Sequence, residues 1–254
     1  MITANRTDIG LGRHVNEDQS WIGQLDNGVT LAIVADGMGG HQAGDVASRM
    51  AVDAFRSMLE QSAAKADLSL QEGKMLIRQA ISQANEAVYE LASRNELYHN
   101  MGTTIVAALV KQDNAIIGHV GDSRAYKIAE GVITQLTDDH TLVNELFKSG
   151  QLSAEEAAHH PRRNVITRAV GTDAHVDVDV LSVDWSPRDV LLLCSDGLSN
   201  MVTEQQMLET VASETLEPEA KADHLIQLAL DAGGDDNITV VLLQEEAAGT
   251  DREV

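Results

Sequence analysis

Apolar runs in this chain are short and end abruptly on acid. Leu31 to Ala35 is apolar throughout, stops at Asp36, and is followed by glycines at 37, 39 and 40. A short apolar run bounded by turn residues predicts a buried strand. Val190 to Cys194 repeats the arrangement and ends in Ser195-Asp196-Gly197. Near the C-terminus the order reverses, with Gly233-Gly234-Asp235-Asp236-Asn237 opening into Ile238 to Leu243. Each of these predicted strands presents a carboxylate at one end.

Other patterns fill in the elements between them. Ser20 to Leu25 alternates, Asp26-Asn27-Gly28 supplies a turn, and Val29 to Ala35 returns, which predicts a hairpin. Ala43, Ala47, Met50, Ala54 and Met58 fall on one face of a helix. A second helix starts near Ser69, with Glu72 placed for a capping box and a stripe of Ile77, Ile81, Ala84, Val88 and Leu91. Thr103 to Val110 and Ala115 to Val120 read as a hairpin about residues 111–114, followed by short strands at Ala125 to Ile128 and Val132 to Leu136. Residues 138–168 are polar and less regular, with helical patches at Leu142 to Phe147 and Ala154 to Ala158. Val176, Val178 and Val180 alternate with His175, Asp177 and Asp179, as in a half-buried antiparallel strand. Helices near Glu204 to Ala212 and Glu219 to Ala232 precede the last strand.

Hairpins and helices come in blocks, not in strict alternation. That predicts an α+β fold of antiparallel sheet packed on helix pairs. Carboxylate-bearing strands near both chain ends favour one domain over residues 1–244, and the small, acidic residues 245–254 read as a frayed tail.

Composition narrows the chemistry. The 254 residues carry 18 Lys plus Arg against 40 Asp plus Glu, a formal net charge of −22, which repels nucleic acid backbones. The longest unbroken apolar run, Ile105 to Val110, is too short to cross a bilayer. The N-terminus lacks the regions of a signal peptide. With Cys194 alone there is no internal disulfide, which fits a reducing compartment, so a cytoplasmic protein is expected.

Asp18, Asp36, Asp122, Asp139, Asp196 and Asp236 all fall at strand ends or in turns. Singly, each reads as a turn or cap residue. Gathered at one rim they need compensating charge, and oxygen-only ligation points to magnesium or manganese, not zinc. Two such ions about 3.5–4 Å apart activate water and clamp an in-line displacement at phosphorus. Gly37 to Gln42 lacks the third glycine of G-x-G-x-x-G, and no Gly-Lys-Ser/Thr follows. Gly121-Asp-Ser-Arg-Ala125 misses the last glycine of a nucleophile elbow and lies in a hairpin pattern, so Ser123 is a poor nucleophile.

Together these segments resemble a known family. Arg13-x-x-Asn-Glu-Asp18, Asp36-Gly-Met-Gly-Gly-His41, Met101-Gly-Thr-Thr104, Gly118-His-Val-Gly-Asp-Ser-Arg124, Leu136-Thr-Asp-Asp-His140, Arg168-Ala-Val-Gly171, Ser195-Asp-Gly197 and Asp236-Asn237 occur in that order. The chain resembles the type 2C, metal-dependent protein serine/threonine phosphatases in their compact bacterial form. The resemblance implies an α-β-β-α sandwich, with two central antiparallel sheets flanked by pairs of helices. It also implies two Mn2+ or Mg2+ ions per site, with a third in bacterial members.

By position, Asp36 would bridge both ions, the Gly37 carbonyl would bind one, and Asp196 and Asp236 would complete the other. Glu17 and Asp18 would hold waters around the ions or steady their ligands. Asp122 with Asp196 would correspond to the third ion, and Arg13 would hold the substrate phosphate. Residues 141–165 match a mobile flap whose Arg162 and Arg163 are among the few basic spots. Eukaryotic members often carry a histidine two residues after the bridging aspartate as proton donor, where this chain has Met38. His41 reads as a loop residue. The expected substrates are phosphorylated proteins made by a serine/threonine kinase, met by a monomer with no nucleic acid or membrane partner. A catalytically silent phosphoprotein-binding regulator, or a small-molecule phosphomonoesterase on the same fold, are the alternatives.

Overall fold

The computed structural model describes residues 1–25, 28–39, 43–62, 69–111 and 113–245. The turn residues Asp26 and Asn27, His41, and all of the acidic tail but Glu245 lie outside the described residues.

The described chain forms β1 (Ile2–Asp8), β2 (Asp18–Gln24), β3 (Thr30–Met38), α1 (Ala43–Ser62), α2 (Leu70–Arg94), β4 (Gly102–Thr103), β5 (Ile105–Lys111), β6 (Asn114–Val120), β7 (Arg124–Ala129) and β8 (Val132–Gln135). Then follow α3 (Leu142–Lys148), α4 (Ala154–Ala158), β9 (Asp179–Asp184), β10 (Val190–Cys194), α5 (Asp196–Ser199), α6 (Glu204–Val211), α7 (Pro218–Asp231) and β11 (Ile238–Gln244). One sheet runs β1-β11-β10-β7-β8 and the other β2-β3-β5-β6-β9, with β4 extending β3. Every strand pairing is antiparallel.

The apolar run of β3 is unbroken because both of its faces are covered. Leu31, Ile33 and Ala35 pack with Phe55 of α1 and Ile77 and Ile81 of α2. Ala32 and Val34 point the other way, onto Leu191, Leu193, Val241 and Leu243 of the opposite sheet. That sheet's outer face, through Tyr126, Leu192 and Val240, packs on Leu198, Met207 and Leu225 of α5 to α7. The layers are therefore helix, sheet, sheet, helix. Each Leu or Val fully buried in them stabilises the fold by about 1.5–3 kcal/mol. The Ser69–Glu72 capping box is formed and opens α2.

Three of the differences from the pattern reading bear on packing. β1 was not anticipated: of its seven residues only Ala4 is buried, because it is an edge strand paired solely with β11. The buried face of α1 is Ala47, Ala51, Phe55 and Leu59, so Met50, Ala54 and Met58 lie beside the stripe instead of along it. Val176 and Val178 are not in a strand, since pairing with β6 begins only at Asp179 opposite His119. Their alternation is nevertheless real, because Val178 is buried and Val176 packs against the same core as α2.

Residues 142–165 hold α3 and α4 and contain no buried side chain. Their root is tied by Leu142 N–H donating to the Val165 carbonyl (2.9 Å) and Thr167 N–H donating to the His140 carbonyl (2.8 Å). A segment pinned at its root and without a core of its own opens at low cost.

Candidate active site

Sheet register brings the acidic residues to one end of the sandwich. Asp18 at the start of β2 stands opposite Asp36 near the end of β3. Asp196 follows β10, Asp236 precedes β11, and Cys194 of β10 stands opposite both Val240 of β11 and Arg124 of β7. Asp122, two residues before Arg124, joins the same rim.

Hydrogen bonds hold each member in place. Asp36 is fixed through its backbone: its N–H donates to Thr104 Oγ1 (3.0 Å), while Thr104 N–H and Thr103 Oγ1 both donate to its carbonyl (2.8 Å each). Thr104 Oγ1 in turn meets Ser123 Oγ at 2.7 Å. Ser123 is 1% exposed and carries the Asp122 turn, which gives it a structural part and no access to substrate.

Asp18 is 2% exposed, and its Oδ2 accepts from both Ser195 Oγ and Thr239 Oγ1 at 2.7 Å. Asp236 accepts from Asn237 N–H (2.8 Å) and from Arg13 Nη2 (2.7 Å). The Asn237 side chain accepts from Glu17 N–H (2.8 Å) and donates to the carbonyls of Ile9 (2.9 Å) and Val15 (3.0 Å). Asn237 thereby holds the whole segment that delivers Arg13, Glu17 and Asp18. Gly37 donates to the Glu17 carbonyl at 3.1 Å, and a Cβ at Gly37 would strike the Gly44 carbonyl. The backbone there admits no side chain.

Electrostatics marks the cluster as incomplete by itself. Burial, and then the charge of Asp18 and of Asp196, push the Asp36 carboxyl well above the usual carboxylate range. Burial raises Asp18 to about 7 despite its two hydroxyl donors. Burial, with Asp196 and Asp139, raises Asp122 to about 7 as well. Asp196 is raised by burial and by Asp236, and Glu17 by burial. Oδ1 of Asp18, of Asp122 and of Asp196 is buried without a hydrogen-bond partner among the described residues. An all-oxygen set of buried and half-buried carboxylates, three of them with an orphaned buried oxygen, fits hard divalent cations.

This has a consequence for stability. In the unfolded chain these carboxyls titrate near 4, so between about pH 4 and pH 7 the folded state binds more protons than the unfolded one. Metal-free protein should therefore lose stability as pH rises through that window, with a fall in Tm on the order of 10 °C. Saturating Mg2+ or Mn2+ should flatten the profile. A metal-free Tm rising steadily from pH 5 to pH 7.5 would contradict the assignment.

Apart from the rim, His119, His140 and Asp179 bring possible ligand atoms within 4.8 Å of one another. Both histidines fall within the segments that carry the family resemblance, but neither is part of the carboxylate pattern at the strand ends. Gly121 N–H donates to His140 Nδ1 (3.0 Å), which leaves the proton on Nε2, facing Asp179 Oδ2 at 3.1 Å. The ring stacks on His119 with centroids 4.4 Å apart. The trio ties the flap root to the Asp122 turn.

Comparison with known proteins agrees with this architecture. The family profile of protein phosphatase 2C matches residues 12–231. The chain is 43% identical to the serine/threonine phosphatase Stp of Listeria monocytogenes over 241 residues, covering 95% of this chain and 94% of that one. It superposes on a Streptococcus agalactiae serine/threonine phosphatase with a TM-score of 0.90 and 40% identity, covering 96% of this chain and 99% of that one. The catalytic domain of the serine/threonine phosphatase PstP, solved with two manganese ions, matches with a TM-score of 0.80 at 34% identity, covering 95% of this chain and 96% of that one. A profile match over residues 12–231, together with a relative 43% identical over nearly the whole chain, means that the chain belongs to the protein phosphatase 2C family.

Proposed function

We infer that this chain is a metal-dependent phosphatase that hydrolyses phosphoserine and phosphothreonine on proteins, with its chemistry at the carboxylate rim. The observation that carries this reading is the rim itself: Asp18 and Asp122 buried, Asp36, Asp196 and Asp236 partly buried beside them, and three oxygens lacking partners among the described residues. Asp36, the Gly37 carbonyl, Asp196 and Asp236 are the proposed holders of two Mn2+ or Mg2+ ions, and Asp122 with Asp196 of a third. When bound, the ions activate water and stabilise the charge that builds up on the phosphoryl oxygens.

The chain's own groups prepare that site. Ser195 and Thr239 both occupy Oδ2 of Asp18, so its other oxygen stays free toward the rim. Thr103 and Thr104 fix the backbone of Asp36 from both sides. Arg13 is half exposed and reaches Asp236 through one nitrogen, leaving the rest of its guanidinium fork for two phosphate oxygens. Among the described residues no helix is long and apolar enough to cross a membrane. Pairing of β1 with β11 supports residues 1–244 as one domain, and action as a monomer is part of the proposal. A cytoplasmic location remains part of the proposal, resting on the unpaired Cys194.

Turnover of phosphoserine and phosphothreonine peptides with Mn2+, its loss on chelation and its recovery on re-addition test this reading. Tight phosphopeptide binding without turnover would favour the silent regulator. Turnover of small phosphomonoesters alone would favour the second alternative.

Arg13→Lys separates substrate handling from metal binding. The Arg13–Asp236 pair is solvent-exposed and worth about 1 kcal/mol at most, so metal affinity should stay within about twofold. KM for phosphopeptide and the inhibition constant of inorganic phosphate should each rise about tenfold, because Lys cannot fork onto two oxygens. If calorimetry showed metal affinity collapsing while phosphate inhibition held, Arg13 would be a structural residue.

A further inference from the structure

A cavity of about 630 Å3 adjoins the rim, with Asp122 and Asp196 in one part of its lining and Val143, Phe147 and Ala157 of the flap in another. Phe147 is 46% exposed, an aromatic ring left in water on a seven-residue helix. Two of the four acidic groups of the lining are ion-paired, Asp138 with Lys148 at 2.9 Å and Asp139 with Arg124 at 2.6 Å, while among the described residues Asp122 and Asp196 at the rim end are not. The ring lies at the flap end, where Val143, Phe147, Ala154, Ala157 and Ala158 form the apolar part of a lining that is otherwise largely polar. A cavity of this size takes a few side chains. Its lining includes Asp122 and Asp196 of the rim, so a chain whose phosphate is held at the rim can lay neighbouring side chains into this cavity.

We propose that the cavity receives the residues flanking the phosphorylated serine or threonine of a protein substrate, and that Phe147 with Val143 selects a large apolar side chain among them. This rests on the reading of the rim as the phosphoester site. An extended chain advances about 3.3 Å per residue with side chains alternating, so the selected residue lies within two or three positions of the phosphate. Flap residues 142–165 carry no buried side chain, which lets the wall adjust around a bulky group. Arg163 shares the lining, and an acidic side chain is the competing occupant.

The test is a panel of phosphoserine peptides with Leu, Phe, Ala, Glu or Lys placed singly at each flanking position. kcat/KM is measured with Mn2+, and hydrolysis of a small aryl phosphate by the same preparation serves as reference. At one position Leu and Phe should exceed Ala about tenfold. Phe147→Ala should reduce that preference to about twofold, and Phe147→Leu should retain it. A wild-type enzyme that cleaves the aryl phosphate yet treats Leu and Ala alike at every position overturns the proposal, as does a preference that survives in Phe147→Ala. Preference for Glu over Leu moves selection to Arg163. Sedimentation showing dimers of the wild type but not of Phe147→Ala assigns the ring to a second copy of the chain instead. If the wild type cleaves neither peptide nor aryl phosphate, the phosphatase reading falls as well, and the two failures are told apart.

Discussion

Asp36→Asn is expected to lower kcat by about a thousandfold or more while raising the stability of the metal-free protein. Both effects follow from one property. Asp36 is half-buried beside Asp18, Asp196, Asp122 and Asp236, and its ionised form is opposed first by desolvation and then by those charges. Near neutral pH the metal-free fold carries that cost, and an uncharged amide of the same shape removes it. The same substitution takes away negative charge that the proposed ions need between them. Wild-type protein should therefore show a large rise in Tm on adding Mn2+, and Asp36→Asn a small one from a higher starting point. Calorimetric titration of Mn2+ and thermal melts at pH 7.5 read the two effects separately from turnover. Full turnover by metal-free wild type, or recovery with zinc alone, would end the two-ion reading.

The sequence made this rim legible because the fold concentrates its chemistry where strands stop. An apolar run ending on Asp is a local pattern, and Asp36, Asp196 and Asp236 could be picked out before any topology was known. The layers were legible for a related reason: strands covered on both faces are continuously apolar, as in Leu31 to Ala35 and Val190 to Cys194. What stayed hidden depends on contacts between residues far apart in sequence. β1 has too few buried positions to announce itself, and only β11 makes it a strand. Asn237 carries no pattern of its own, yet it holds the segment bearing Arg13 and Glu17 across more than two hundred residues of chain. Thr104 and Ser123 sit in different hairpins and meet only in the folded rim, where they join the backbone of Asp36 to the Asp122 turn. The face of α1 was read one step off because Ala and Met recur at several helical spacings, whereas Phe55 and Leu59 are singled out only by contact with β3.

Met38 sets the second large effect. It lies two residues beyond Asp36 on β3, hence on the same face of the strand, and is paired with Gly102. Its side chain is half-buried, with Cε 3.4 Å from where a Cβ on Gly102 would sit. A thioether has no proton to give. Without a donor at this place the leaving oxygen departs carrying most of its negative charge, which a phenolate tolerates and a serine alkoxide does not. General acid catalysis is typically worth about 10²–10⁴-fold, so the deficit should be visible in rates. Turnover of aryl phosphates is therefore expected to rise steeply as leaving-group pKa falls, and to exceed turnover of a phosphoserine peptide by about a hundredfold or more at saturating Mn2+. Met38→His should raise peptide turnover at least about tenfold and leave the best aryl substrates nearly unchanged, because an imidazole helps only where the leaving group is poor. The measurement is kcat across aryl phosphates of graded leaving-group pKa and one phosphopeptide, for the wild type, Met38→His and His41→Ala. A flat dependence in the wild type would show that a proton donor is already in place or that product release limits the rate. If His41→Ala then made the dependence steep, the donor would be His41, and Met38 would be a packing residue beside Gly102 and nothing more.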